Sequence, residues 1–244
     1  MANGESEVGA DAPAGGFVQL LTPDGERVDS VTTADGVTYS VDFTDDEYRE
    51  LYKDLVTVRR LDAEATALQR QGELGIWASL LGQEAAQVGS GRALRPQDMA
   101  FPTYREHGVL YTRGIDPIMP FGLFRGVDQG GWDANKYKFN GYTIVIGSQT
   151  LHATGYAMGV TMDGKTGTPD GEAVIAYFGD GATSQGEVNE SFVWAGVFNA
   201  PLVFFCQNTS TRSPSRSSDR PASRSTGARR ASASPASGST ATTC

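Results

Sequence analysis

The sequence predicts an α/β fold built on a parallel sheet, and three observations carry that expectation. The run Ala173-Val-Ile-Ala-Tyr-Phe178 is apolar, partly β-branched and of strand length, and it ends on Gly179-Asp-Gly181, where two glycines let the chain turn sharply. Ser184 to Phe198 then carries Val188, Phe192, Val193, Ala195 and Gly196 at roughly helical spacing. Pro201-Leu-Val-Phe-Phe-Cys206 is a second apolar strand. The unit therefore reads as strand, crossover helix and parallel strand, with both strand ends facing one crevice.

The elements ahead of this unit follow in order. Residues 1–16 are small and acidic, without a basic start or an apolar stretch, so a disordered lead is expected and neither a signal nor a transit peptide. Residues 17–43 suggest an extended arm or hairpin, with Phe17 to Val28 turning at Asp24-Gly25. Thr44-Asp-Asp-Glu47 is a capping box, which opens a long helix with Tyr48, Leu51, Tyr52, Leu55, Val58, Leu61, Ala65 and Leu68 on one face. Such a face needs cover, and Trp77 to Leu81 with the small-residue helix Gly82 to Leu94 is expected to supply it. No apolar stretch is long enough to span a bilayer, so no membrane partner is expected. Of the two cysteines, Cys206 falls in a buried strand and Cys244 is the last residue, so no disulfide is expected and the natural setting is a reducing, cytoplasmic one.

The chemistry sits at the strand ends. Asp180 projects from the first and Asn208 follows the second in Phe204-Phe-Cys-Gln-Asn208. A hard dication takes oxygen ligands and shares a substrate's phosphates, so this carboxylate and amide oxygen suit Mg²⁺ on a diphosphate. Gly181 and Ala182 are expected to begin the next helix, whose first amides and positive dipole end favour an anion. Arg105 offers two hydrogen bonds to phosphate oxygens and Tyr104 a hydroxyl. Standing against this reading, Gly-Asp-Gly also occurs as a plain turn, and an arginine after a strand is often merely exposed.

The chain resembles the alpha subunits of the E1 component of thiamine-diphosphate-dependent 2-oxo acid dehydrogenase complexes. Leu81-Gly-Gln-Glu-Ala85, Thr103-Tyr-Arg-Glu-His-Gly108, Thr112-Arg-Gly114, Ile146-Gly-Ser-Gln149, Gly179 to Gly186 and Cys206-Gln-Asn208 occur in that family's order, over about residues 40–208. The resemblance implies that residues 44–208 form part of a thiamine-diphosphate-binding domain, incomplete at its C-terminal side, with thiamine diphosphate and Mg²⁺ as cofactors. It implies that Tyr104 and Arg105 contact the diphosphate, that Ile144 and Ile146 lie where backbone groups meet the aminopyrimidine, and that Asp180, Gly181, Ala182 and Asn208 bind the cofactor, Asp180 through the metal. No residue stands out as catalytic. His107 is the one candidate, by resemblance, with a loop histidine fixed by hydrogen bonds as the alternative; His152, in Gln149-Thr-Leu-His-Ala-Thr-Gly155, is placed at the start of a helix near the cofactor side.

The chain departs from the family at the second metal ligand. Family members carry two adjacent asparagines here and bind the metal through the second, where this chain has Thr209, a poorer ligand for Mg²⁺. Residues 209–244 contain no Val, Ile, Leu, Met, Phe, Trp or Tyr, so they cannot form a core. Charge also inverts: residues 1–208 hold 14 Lys and Arg against 28 Asp and Glu, whereas the last 36 hold 6 Arg against one Asp. At face value this is a disordered basic arm of the kind that meets nucleic acid. A change of reading frame accounts for it better: with suitable codons, one extra adenine after that for Asn208 converts the segment to Asn-Asn-Gln-Tyr-Ala-Ile-Ser-Val-Pro-Val-Glu-Arg-Gln-Thr. The missing asparagine and a strand-like run return, and no nucleic-acid partner is expected.

By resemblance the reaction is decarboxylation of a 2-oxo acid, with the acyl fragment passed to the lipoyl domain of E2. Pyruvate is the first choice of substrate and a branched-chain 2-oxo acid the second. The glutamate that activates the cofactor belongs to a separate E1 beta subunit, so an α₂β₂ assembly is implied. A transketolase-like enzyme is the rival within thiamine chemistry, argued against by the order of motifs; a catalytically inactive fragment that at most binds a partner is the rival from another class.

Overall fold

A computed structural model describes residues 18–22, 24–34, 36–128 and 131–208, together with the backbone of Arg229–Arg230. Two small antiparallel pairings come first. Leu21 bridges Arg27 around a turn in which Gly25, at φ +86°, donates its N–H to the Thr22 carbonyl. This is the turn expected at Asp24-Gly25. Strand β1 (Ser30–Thr32) then pairs with β2 (Thr38–Ser40).

Helix α1 (Asp45–Arg70) opens on the expected capping box, in which Thr44 N donates to Glu47 at 2.7 Å and Glu47 N to the Thr44 hydroxyl at 3.3 Å. Of its apolar face, Val58 and Ala65 are fully buried, whereas Tyr48 and Tyr52 stand exposed. Val58 packs with Leu80 and with Val88 of α2 (Glu84–Ala93), and Ala65 with Leu74, Trp77 and Phe124, so the segments expected to cover α1 do so. The same face also buries two carboxylates that hydropathy alone did not mark. Asp54 is bound to Arg92 of α2, and Asp62 accepts from Trp77 Nε1 (2.8 Å), Ser79 Oγ (2.6 Å) and the Leu80 amide (3.0 Å). Positions 54, 58, 62 and 65 recur at helical spacing, so a buried acid here belongs to the inner stripe.

The sheet runs β3 (Met99–Phe101), β4 (Val174–Gly179), β5 (Leu202–Gln207) and β6 (Arg229–Arg230). The first three are parallel. Helix α7 (Gly186–Val197) connects β4 to β5, giving the expected strand, helix and strand unit. Successive β4 residues face opposite ways: Val174 and Ala176 lie under Ala153 and Ala157 of α6 (Ser148–Met162) and Ala195 of α7, while Ile175 and Tyr177 lie under Val109 and Leu110 of α3 (His107–Thr112). Burial on both faces is why this strand reads as an uninterrupted apolar run. The free edge of β3 is met by Lys138 to Asn140, beyond helices α4 (Ile118–Arg125) and α5 (Ala134–Tyr137). On the other side, Arg230 and Arg229 pair antiparallel with Val203 and Phe204, so the edge of β5 carries backbone partners at these two positions. The expectations for residues 1–16 and, apart from that pairing, for 209–244 lie outside the described residues.

Asp62 ties the loop that follows α1 back onto that helix. Asp62→Ala should lower unfolding stability by about 3 kcal/mol, because two buried donors, Trp77 Nε1–H and the Leu80 amide, and the half-buried Ser79 hydroxyl lose their acceptor at once. Urea titration should show a lower midpoint at unchanged slope; a midpoint equal to the parent's would mean the loop does not depend on that carboxylate.

Candidate functional site

Parallel pairing of β4 with β5 sets Gly179 opposite Gln207, so Asp180 and Asn208 are the next residue on each strand at one level of the sheet's carboxyl edge. Asn208 is exposed and Asp180 half-buried. Asp180 does not enter the long helix directly. Asp180–Ser184 forms a 3₁₀ turn, closed by the Thr183 hydroxyl on the Asp180 carbonyl at 2.7 Å, and α7 starts only at Gly186. This corrects the expectation for Gly181 and Ala182: their amides belong to a short turn, and the dipole of α7 begins beyond them. Ser, Thr and Asp bonding to local backbone favours such a turn over a helix start.

Residues 103–108 form an arm against this edge. Arg105 sits with its guanidinium 5.9 Å from the centre of the Tyr104 ring, and one of its N–H groups donates to the Ser79 carbonyl. The arm is tied down by the next residue. Glu106 is 1% exposed; one carboxylate oxygen accepts from the amide and hydroxyl of Thr103, the other from Gln207 Nε2 at 2.7 Å. Gln87 of α2 completes the network, giving Nε2–H to the Arg105 carbonyl (3.1 Å) and to Gln207 Oε1 (3.4 Å), and accepting from the Gly108 amide (2.9 Å). Burial pushes the Glu106 carboxyl up, opposed by the Thr103 and Gln207 hydrogen bonds and the Arg105 charge.

A third segment borders the crevice. Ile144, Val145 and Ile146 are 63, 69 and 50% exposed, an unusual concentration of apolar surface in a loop. Gly147 follows at φ +91°, where a Cβ would come within 3.0 Å of Val188 and 3.3 Å of Gln185, so only glycine lets this loop lie against the start of α7. Gln149, in the first turn of α6, is fully buried and donates to the Tyr177 carbonyl of β4 at 2.7 Å.

Comparison with known proteins decides the family. The profile described as "Dehydrogenase E1 component" matches residues 52–232, three-quarters of the chain. The chain belongs to the dehydrogenase E1 component family. It is 41% identical over 191 residues to the 3-methyl-2-oxobutanoate dehydrogenase subunit alpha of Mycobacterium tuberculosis, covering 78% of this chain and 49% of that protein. It is 34% identical over 190 residues to the pyruvate dehydrogenase E1 component subunit alpha of Bacillus subtilis, covering 78% and 48%. The chain thus spans about half the length of these curated relatives.

Within this E1 component chain the motif residues divide into two kinds. Asp180 and Asn208 lie at one sheet edge, Glu106 ties the segment that carries Tyr104 and Arg105 to Gln207 of that edge, and Gly147, next to the Ile144 to Ile146 loop, lies against Gln185 after the Asp180–Ser184 turn. His107 and Arg113 instead build the scaffold. His107 is wholly buried, stacked on Trp77 at 4.0 Å, with Nε2 donating to the Ala78 carbonyl (3.0 Å) and Nδ1 accepting from the Tyr142 hydroxyl (2.7 Å). A ring with both nitrogens so engaged has none to offer a substrate, and the hydrogen-bonded alternative describes its geometry. Arg113 holds four backbone carbonyls, of Tyr137, Arg95, Pro96 and Asp98. His152 lies exposed on α6. The network of Glu106, Gln207 and Gln87 escaped the sequence reading, although Thr103-Tyr-Arg-Glu106 has the S/T-x-x-E spacing that announces a reciprocal bond.

Burial pushes the His107 pKa down to about 4, so it is neutral in the folded chain well below its ordinary value of 6.5. In acid the unfolded chain protonates first. Stability contributed by neutral His107 should therefore be complete above pH 6.5 and be lost as pH falls toward about 4, by at most roughly 3 kcal/mol. Urea unfolding of the parent and of His107→Gln from about pH 7 to about pH 5 should show the parent losing stability faster, every other titrating group being common to both. Parallel curves would show that this histidine is not buried neutral.

Proposed function

We propose that this chain is the alpha subunit, or a part of it, of an E1 component that decarboxylates a 2-oxo acid on thiamine diphosphate with Mg²⁺ and passes the acyl group to the lipoyl domain of E2. The observation that supports the reading is the level pairing of Gly179 with Gln207, after which Asp180 and Asn208 follow at the carboxyl edge of the parallel strands, the edge at which ligands bind in open α/β sheets. The donor types suit a hard dication: Asp180 offers a carboxylate and Asn208 an amide oxygen at the same sheet edge, and Mg²⁺ is commonly held by one or two protein carboxylates together with a substrate's phosphates. When bound, the cofactor supplies the electron sink for loss of CO₂, and the protein supplies orientation and charge.

Each residue then has a role. Asp180 would hold the metal and Asn208 would bind the cofactor beside Thr209, which occupies the second ligand position, while Arg105 and Tyr104 would donate to phosphate oxygens and backbone groups at Ile144 and Ile146 would meet the aminopyrimidine. Higher identity to the relative named for 3-methyl-2-oxobutanoate supports a branched-chain acid ahead of pyruvate as substrate. The active unit is an α₂β₂ assembly in the cytoplasm, with E1 beta supplying the activating glutamate. Thr209 supports a second reading for the chain as it stands, a folded fragment with impaired metal binding, and the reading-frame change after Asn208 is its proposed origin. Sequencing the DNA across these two codons decides that point.

Calorimetry with Mg²⁺ and thiamine diphosphate tests the site. Asp180→Ala should weaken binding by more than about 100-fold, ~2.7 kcal/mol, and Thr209→Asn should strengthen it in part. Equal affinity in Asp180→Ala and the parent would reduce Gly179-Asp-Gly181 to a structural turn. The purified chain alone should not turn over 3-methyl-2-oxobutanoate or pyruvate; turnover without a beta subunit would overturn the two-chain reading.

A further inference from the structure

We propose that Glu106, Gln207 and Gln87 are positioning residues that lock the Tyr104–Arg105 arm to the Asp180–Asn208 edge through a hydrogen-bond chain of fixed direction, an inference that rests on the function proposed above. Both ends of the chain are backbone N–H groups, which cannot reverse. At one end Thr103 N–H donates to Glu106, and at the other Gly108 N–H donates to Gln87 Oε1 at 2.9 Å. The second end fixes the Gln87 amide, whose Nε2–H₂ then faces three acceptors, the Arg105 carbonyl (3.1 Å), Gln207 Oε1 (3.4 Å) and Gln83 Oε1 (3.4 Å), so that Gln207 must turn its oxygen and not its nitrogen toward it. Gln207 is thereby oriented too, and its Nε2–H donates to Glu106 at 2.7 Å. Donors converge on Glu106 from both directions, so the chain needs one member with two acceptor oxygens and no donor facing either neighbour. An ionised carboxylate meets that condition and a carboxamide does not.

The linkage matters because Glu106 and Gln207 adjoin residues assigned to the diphosphate, and Gln87 bonds the carbonyl of one of them, Arg105. Glu106 follows Arg105, Gln207 precedes Asn208, and the partner of Gln207 across the sheet, Gly179, precedes Asp180. Glu106, Gln207 and Gln87 are all more than nine-tenths buried, so none of them competes for the ligand itself. Their part is to fix the separation of the arm from the strand ends.

Direction makes the idea testable with isosteric changes. Glu106→Gln puts an N–H against the donor from Gln207 or from Thr103, and Gln207→Glu sets two carboxyl groups together. The double swap, Glu106→Gln with Gln207→Glu, restores order: Thr103 donates to the new amide, the amide donates to the new carboxylate, and Gln87 donates to that carboxylate from the other side. Hydrogen exchange on the full chain should show the Thr103 and Gly108 amides exchanging at least about tenfold faster in each single variant, with Ile175 to Phe178 as the control for global opening, and near-parent rates in the swap. Mg²⁺–thiamine diphosphate affinity should follow the same order, falling about tenfold or more in the singles and recovering in the swap. If Glu106→Gln does not fold, recovery of folding in the swap supports the proposal equally. A swap no better than the worse single variant in exchange or in folding overturns the proposal. Affinity unchanged in the singles while exchange rises also overturns it, since the network would then not position the ligand groups. If the parent binds no thiamine diphosphate, the proposed function fails, and exchange alone decides whether the chain of bonds locks the arm.

Discussion

The register of β4 on β5 is the constraint on which the rest of this structure depends. On one face of β4, Val174 and Ala176 lie beneath alanines of α6 and α7 and Phe178 packs with Val188 and Phe192 of α7, and on the other Ile175 and Tyr177 lie beneath α3. Sliding the pairing by one residue would turn every side chain of the moved strand to the opposite face, setting Ile175 and Tyr177 where Val174, Ala176 and Phe178 now fit, in a core packed too closely to absorb the exchange. Packing on both faces therefore fixes the level at which the two strands end. That Asp180 and Asn208 emerge side by side is a consequence of core packing.

Around this sheet the connections are held by buried carboxylates. Asp62 gathers the loop after α1, Asp98 accepts from the amides of Arg95 and Ala173, both at 2.9 Å, where β3 and β4 begin, and Glu106 gathers the arm. Each accepts from at least one backbone N–H as well as from side chains. A buried carboxylate is costly unless its oxygens are filled, and for that reason it defines the conformation of the loop that fills them. Apolar packing tolerates small displacements; a carboxylate with three donors tolerates few. The loops of this chain are ordered by polar groups at their roots while their tips stay open to solvent, as at Ile144 to Ile146.

These two layers of organisation explain what the sequence disclosed. Apolar runs, crossover helix and capping box were legible because each is a local pattern with one physical solution: Ala173 to Phe178 is too apolar to be a surface strand, and Thr44-Asp-Asp-Glu47 has its reciprocal bonds within four residues. Asp180 and Asn208 were legible as a pair because strand ends in a parallel unit must meet. The 3₁₀ turn at Asp180–Ser184 was not, since the bonds that mark it, from the Thr183 hydroxyl to the Asp180 carbonyl and from the Gln185 amide to the Ala182 carbonyl, leave no pattern in hydropathy. Burial of Asp54 and Asp62 was hidden because hydropathy scores an acid as exposed, and only its helical spacing from Val58 and Ala65 shows otherwise. The bond from Gln207 to Glu106 spans 101 positions, and nothing local announces it.

Buried residues that adjoin more exposed ones unite the scaffold with the site. At the end of β5 Gln207 is buried while Asn208 is exposed, as successive residues of a strand point to opposite sides, and in the turn before α3, where the His107 amide donates to the Arg105 carbonyl at 2.8 Å, Glu106 is buried while Arg105 is only half-covered. At both places one residue faces the protein and its neighbour faces the crevice. The inward member sets the backbone from which the outward member reaches, so a change of hydrogen-bonding direction inside is transmitted outward across one peptide unit, with no need for a moving element between them. A crevice built this way gains its shape from groups that never meet the ligand, and its functional residues cannot be tuned independently of the buried polar order beneath them.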